Sequence, residues 1–136
     1  MYVDASAIVA ILTREPDADA LADALDGARS PITSAVTVFE SVLGVCRKRH
    51  ASVAEARDDV REFLAAAKIR TVAITSEEAD AALEAFARYG KGRGHPARLN
   101  MGDCFAYAVA KNHHAPLLFK GNDFTQTDIG TAMPPE

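Results

Sequence analysis

Short apolar segments alternate with stretches of helical periodicity along the whole chain. Tyr2-Val3 reads as a very short strand ending at Asp4, and the apolar run from Ala5 to Leu12, too long for most strands, predicts a buried helix. Pro16-Asp17 opens an amphipathic helix with Leu21, Ala22, Leu25 and Ala28 on one face and Gly27 near its end. Pro31-Ile32-Thr33-Ser34 predicts a second strand. Ser34 or Thr37 then caps a helix with the stripe Val38, Phe39, Val42, Leu43 and Cys46. It closes in Arg47-Lys48-Arg49-His50, charge that suits a helix C-terminus. Ser52 with Glu55 forms a capping box for a helix whose stripe is Val53, Ala56, Val60, Phe63, Leu64 and Ala67. Ile69 to Ile74 alternates as a strand, and Ser76 caps a helix with Ala79, Ala82, Leu83, Phe86 and Tyr89 on its face. A basic, glycine-rich loop spans Gly90 to Pro96. Asn100 caps a helix to about Asn112, and Pro116-Leu117-Leu118-Phe119 is a strand running into Gly121-Asn122-Asp123-Phe124.

Short strands separated by helices predict an α/β fold with a mainly parallel sheet and helices on both faces. With 136 residues, one domain spanning 1–136 is expected, since a second core would need roughly 100 more residues. Hydrophobic residues make up 49% and charged residues 25%, ordinary globular usage that excludes disordered and collagen-like classes. A core of this size needs no metal to fold, so any metal serves function. Cys46 and Cys104 are too few for a disulfide framework and sit in apolar helical patterns, which fits a reducing cytoplasm. No apolar run reaches about 18 residues and no signal sequence precedes Tyr2, so a soluble, non-exported protein is expected. The net charge of −4, from 19 acidic and 15 basic residues, argues against a nucleic-acid partner, which usually meets a basic excess.

Four acids change that picture. Asp4 and Asp123 follow strands, where ligands of parallel sheets bind. Glu40 interrupts an apolar helix at the edge of its buried face, and Asp103 lies in the first turn of another helix. Each has a plainer role open to it. Asp4 could cap its helix, Glu40 could be solvated, Asp103 could complement the helix dipole, and Asp123 could serve a turn. Convergence of all four at one sheet end would be costly without a cation, because clustered carboxylates raise one another's pKa. Carboxylates without a His or Cys pattern favour Mg²⁺ or Mn²⁺ over Zn²⁺. Ser6 could bond the helix backbone or orient a metal-bound water. Gly90-Lys91-Gly92-Arg93-Gly94 lacks the ending of a P-loop. His113-His114 lacks the spacing of a helical zinc pair, Cys104 has no partner pattern for a nucleophile, and Gly44 is too isolated to interpret.

The segments Val3-Asp4-Ala5-Ser6-Ala7, Phe39-Glu40-Ser41, Leu99-Asn100-Met101-Gly102-Asp103-Cys104-Phe105-Ala106-Tyr107 and Pro116 to Phe124 closely resemble PIN-domain proteins. More narrowly they resemble VapC toxins of bacterial toxin–antitoxin pairs, over nearly the whole chain. The resemblance implies a three-layer α/β/α sandwich that commonly dimerises. It implies an Mg²⁺-dependent endoribonuclease, silenced by a cognate VapB antitoxin and leaving 5′-phosphate and 3′-hydroxyl ends. Carried over by position, Asp4, Glu40, Asp103 and Asp123 become the acidic site, with Asp4 and Asp103 as direct metal ligands and Ser6 in support.

Lys91, Arg93, His95 and Arg98 precede Asp103, and Arg47 to Arg49 end the helix carrying Glu40. These charges are expected to grip the RNA backbone. Two other readings compete. A non-enzymatic binding module would have no reason to keep four carboxylates at one sheet end. A receiver-like phosphotransfer domain requires an Asp after a middle strand; Lys120 partly fits it, but no suitable Asp follows Ile69 to Ile74.

Overall fold

A computed structural model describes residues 1–134. Among these, four strands and six helices follow the order β1 (Tyr2–Val3), α1 (Ala5–Leu12), α2 (Ala18–Asp26), β2 (Ile32–Ser34), α3 (Ala35–Arg49), α4 (Val53–Ala66), β3 (Arg70–Val72), α5 (Ser76–Tyr89), α6 (Met101–Asn112) and β4 (Leu117–Leu118). The strands form one sheet in the order β3-β2-β1-β4. Every pairing is parallel, with Tyr2 opposite both Ile32 and Leu117, and Ile32 opposite Arg70.

Alternation along these very short strands builds two cores. Tyr2, Ile32 and Leu117 face Ala82, Ala85 and Tyr89 of α5 and Ala106 to Ala110 of α6. Val3 and Leu118, one residue further on, face Ile8 of α1 and Leu21 and Leu25 of α2 on the other side of the sheet. Helices thus cover both faces, the three-layer α/β/α arrangement. The chain steps from β1 to β2 to β3 in one direction and returns past β1 to β4. The order therefore reverses between β1 and β4, and the crevice beyond their carboxyl ends is where open α/β sheets bind ligands. Asp4 and Asp123 follow those two strands.

Several elements differ from the sequence expectation. The strand expected over Ile69 to Ile74 shortens to Arg70–Val72, because only three residues of β2 pair with it. It is also an edge strand, so the comparison with receivers turns on central β1 and its Asp4. Thr75, not Ser76, caps α5, in a capping box with Glu78. Leu83 (67% exposed) and Phe86 (39%) lie outside the core; α5 instead packs on α6 through the small Ala82 and Ala85, which let the helices approach closely. In α3, Phe39 and Leu43 are exposed, whereas Thr37, Ser41, Gly44 and Val45 are buried. That polar face is tolerated because its hydroxyls are satisfied: Ser41 donates to the Thr37 carbonyl (2.7 Å), and Thr37 pairs with the Tyr2 hydroxyl (2.6 Å). Ser34 occupies the N-cap of α3 but makes no capping bond, its hydroxyl being bonded to Tyr2 at 2.7 Å. Val53, expected in the stripe of α4, is exposed.

No described helix is long and apolar enough to cross a membrane. Both cysteines are free thiols. Beyond β4 the chain is tied down at Asp128, which accepts hydrogen bonds from Tyr107, Tyr89 and Lys111.

Candidate active site

The site is built from the ends of β1 and β4 and from two helices that meet over them. Asp4 ends β1 and caps α1, its Oδ2 accepting the Ser6 backbone N–H (3.1 Å) and the Ser6 hydroxyl (2.6 Å). The Ser6 hydroxyl in turn accepts the Lys120 backbone N–H at 3.0 Å. Ser6 therefore ties the β1 acid to the segment leaving β4, and the Lys120 bond leaves its proton aimed at Asp4. Gly121, at φ +95, turns that segment toward Asp123 in a conformation that only glycine adopts without cost. Lys120 is anchored by Glu15 and, at 3.3 Å, by Asp17, which pins the α1–α2 connection beside the site.

Asp103 lies at the third position of α6. It completes a capping box with Asn100, accepting the Asn100 N–H at 3.1 Å while the Asn100 side chain accepts the Asp103 N–H at 2.9 Å. The cap and the candidate ligand are thus one residue. Glu40 reaches the site from α3, and its carboxylate rests on Gly102: a Cβ there would overlap Oε1, Oε2 and Cδ of Glu40.

Asp4, Glu40, Asp103 and Asp123 line a single cavity of about 380 Å³ together with Ser6, Gly44, Arg47 and Lys48. Burial raises the Asp4 carboxyl above the usual range, opposed by its Ser6 hydrogen bonds and assisted by the Asp123 charge. Burial and then the Asp4 charge raise Glu40. Asp103 is pushed up to about 7, by burial first and then by the charges of Asp4, Asp123 and Glu40, against the hydrogen bond from Asn100. Mutual repulsion of this kind is what a bound cation relieves.

Among the described residues, no three His, Cys, Asp or Glu side chains stand close enough together to enclose a metal ion by themselves. The donor set nevertheless fits a small hard cation. Mg²⁺ keeps several waters and is held by one or two carboxylates, and this cavity offers carboxylate oxygens, the Ser6 hydroxyl and room for water, with no His or Cys in its lining. Cys104 offers no alternative chemistry, since burial and the Asp103 charge push its thiol up to about 11.

The basic groups are divided. Arg47 and Lys48 line the cavity, whereas Lys91, Arg93 and Arg98 do not; these three are exposed in the loop closed by the Gly90–Leu99 bridge. Gly44, uninterpretable in the sequence, has a clear role, because a Cβ there would stand 2.6 Å from Val9 Cγ2 and hold α1 off α3. Gly102 is likewise invisible to any pattern of side-chain types. Its only sequence signal is a glycine beside an acid in the first turn of a helix.

The family model of the PIN domain matches residues 1–130. The chain is 44% identical over 140 residues to a VapC ribonuclease of Rhizobium meliloti, covering 95% of this chain and 99% of the relative. A VapC ribonuclease of Mycobacterium bovis is 47% identical over 130 residues, with 95% and 91% covered. Ribonuclease VapC28 of Mycobacterium tuberculosis is 41% identical over 133 residues, with 98% of each chain covered.

Proposed function

The chain belongs to the PIN-domain family, and on that premise we propose that it is a metal-dependent endoribonuclease of the VapC type, the toxin of a toxin–antitoxin pair. The observation that carries the reading is the convergence of Asp4, Glu40, Asp103 and Asp123 on one cavity at the reversal point of the sheet.

In this proposal Asp4 and Asp103 would hold Mg²⁺, or Mn²⁺ in its place, with Glu40 and Asp123 supporting the site. Bound there, the cation supplies positive charge for the phosphate oxygens and makes water a stronger acid. The chain's own residues orient and accept. Ser6 fixes the rotamer of Asp4 through its hydroxyl and backbone bonds. Glu40, half-buried in the cavity wall, is placed to accept the proton of the attacking water. The water oxygen bonds to phosphorus and the bond from phosphorus to the 3′ oxygen breaks. That oxygen leaves protonated by solvent, which gives 5′-phosphate and 3′-hydroxyl ends.

Arg47 and Lys48, at the cavity wall, contact phosphates next to the scissile bond, and Lys91, Arg93 and Arg98 contact RNA further out. Silencing by a VapB-type antitoxin, a homodimeric assembly and a cytoplasmic setting belong to the same reading, and they rest on the likeness to VapC ribonucleases.

The test is cleavage of structured RNA by the purified, partner-free protein, with the ends of the products mapped. Wild type should yield 5′-phosphates, and Asp4→Asn should lose at least about 100-fold in rate while remaining folded. Undiminished cleavage by Asp4→Asn, or 2′,3′-cyclic phosphate ends, would overturn the mechanism.

A further inference from the structure

We infer that Gly102 is a positioning residue for Glu40: the side chain it lacks is the space in which the Glu40 carboxylate sits. Glycine in a helix costs up to about 1 kcal/mol relative to alanine, so its presence in the first turn of α6 needs a reason. Conformation is not that reason, since Gly102 is absent from the glycines with positive φ and lies in regular helix. Space is. Gly102 is buried, and all three of the nearest atoms that a Cβ would meet belong to the Glu40 carboxyl group. The close approach of α6 to α3 thereby fixes how deep the Glu40 carboxylate reaches over Asp4 and Asp103, and it ties the α6 acid to the α3 acid through the residue preceding Asp103 in the chain.

The obstacle to a side chain at Gly102 is the end of a flexible side chain, not backbone. Gly102→Ala should therefore leave the fold intact and displace the carboxylate. The consequence for rate rests on the ribonuclease reading; the placement does not.

The experiment pairs kinetics with crystallography on the full chain. Gly102→Ala should keep the wild-type unfolding midpoint within a few degrees and lose about 10-fold to 100-fold in single-turnover RNA cleavage with Mg²⁺. Adding Glu40→Gln to it should cost little more, because the carboxylate has already moved. Glu40→Asp, slower than wild type by itself, should restore part of the rate in the Gly102→Ala background, because the shorter side chain leaves room for the methyl group. A crystal structure of Gly102→Ala should show Glu40 swung away from an undisturbed α6 backbone. Wild-type cleavage by Gly102→Ala, fully additive losses with Glu40→Gln, or an unmoved Glu40 against a displaced α6 would each overturn the assignment. Absence of cleavage by the wild type would instead contradict the proposed activity, and the crystal structure would still decide the placement.

Discussion

Asp103 serves two purposes with one carboxylate, accepting the Asn100 N–H that begins α6 and facing the acidic cavity. The second purpose has an energetic consequence. Its folded pKa of about 7 stands above the ordinary 3.8, so the folded protein binds this proton more tightly than the unfolded chain does. Stability is therefore lost as pH rises from about 4 through 7, and the penalty is complete above 7. In EDTA, Asp103→Asn should melt higher than wild type at pH 8, with the gap closing as pH falls toward 4; a gap independent of pH would contradict the shared cavity. At this scale the sequence is unevenly informative. Asp4 and Asp103 are legible because each stands at a recognisable boundary, a strand end or a helix cap. Gly44 and Gly102 are not legible, because what they contribute is a missing atom, and only the neighbouring element shows what would have collided with it.

At the scale of elements, α3 carries most of the departure from periodicity. Its apolar residues predict a stripe through Phe39 and Leu43, yet it buries Thr37, Ser41 and Gly44 and leaves those two exposed. A period of 3.6 locates a stripe but does not choose which side of it meets the neighbours. Here the choice is made by the Tyr2 hydroxyl, which offers Ser34 and Thr37 a buried partner, and by Gly44, which lets α1 come close. Gly44→Ala should accordingly destabilise by about 1–2 kcal/mol in chemical denaturation, overpacking against Val9 outweighing the gain in helix propensity. Val9→Ala in the same chain should recover part of that loss. Helix starts are more legible. Ser52 and Asn100 announce α4 and α6, and α5 is capped by Thr75 rather than the expected Ser76 because the two adjacent hydroxyls offer the same chemistry.

For the whole molecule, the net charge of −4 is misleading as an average. With Asp4, Glu40, Asp103 and Asp123 set aside, 15 acids balance 15 basic residues, so the entire excess sits in one cavity beside Arg47 and Lys48. A divalent cation there would turn an acidic cavity into one that a phosphate can approach. Sheet order adds what composition cannot. Asp4 and Asp123 become neighbours because β4 returns beside β1, a long-range pairing with no local signature, and the contact of α3 with α6 adds Glu40 and Asp103. An Arg47→Ala, Lys48→Ala double variant should weaken RNA binding and reduce the salt slope by about 2, and it should slow cleavage more than an Arg93→Ala, Arg98→Ala variant does; equal effects would contradict the division between cavity wall and outer loop. The most direct measurement of the central claim is metal add-back. Protein stripped with EDTA should cleave no RNA, regain cleavage on titration with Mg²⁺, and fail to regain it as Asp103→Asn at any Mg²⁺ concentration while remaining folded. Cleavage that persists in EDTA, or an Asp103→Asn protein that responds to Mg²⁺ as wild type does, would contradict the account.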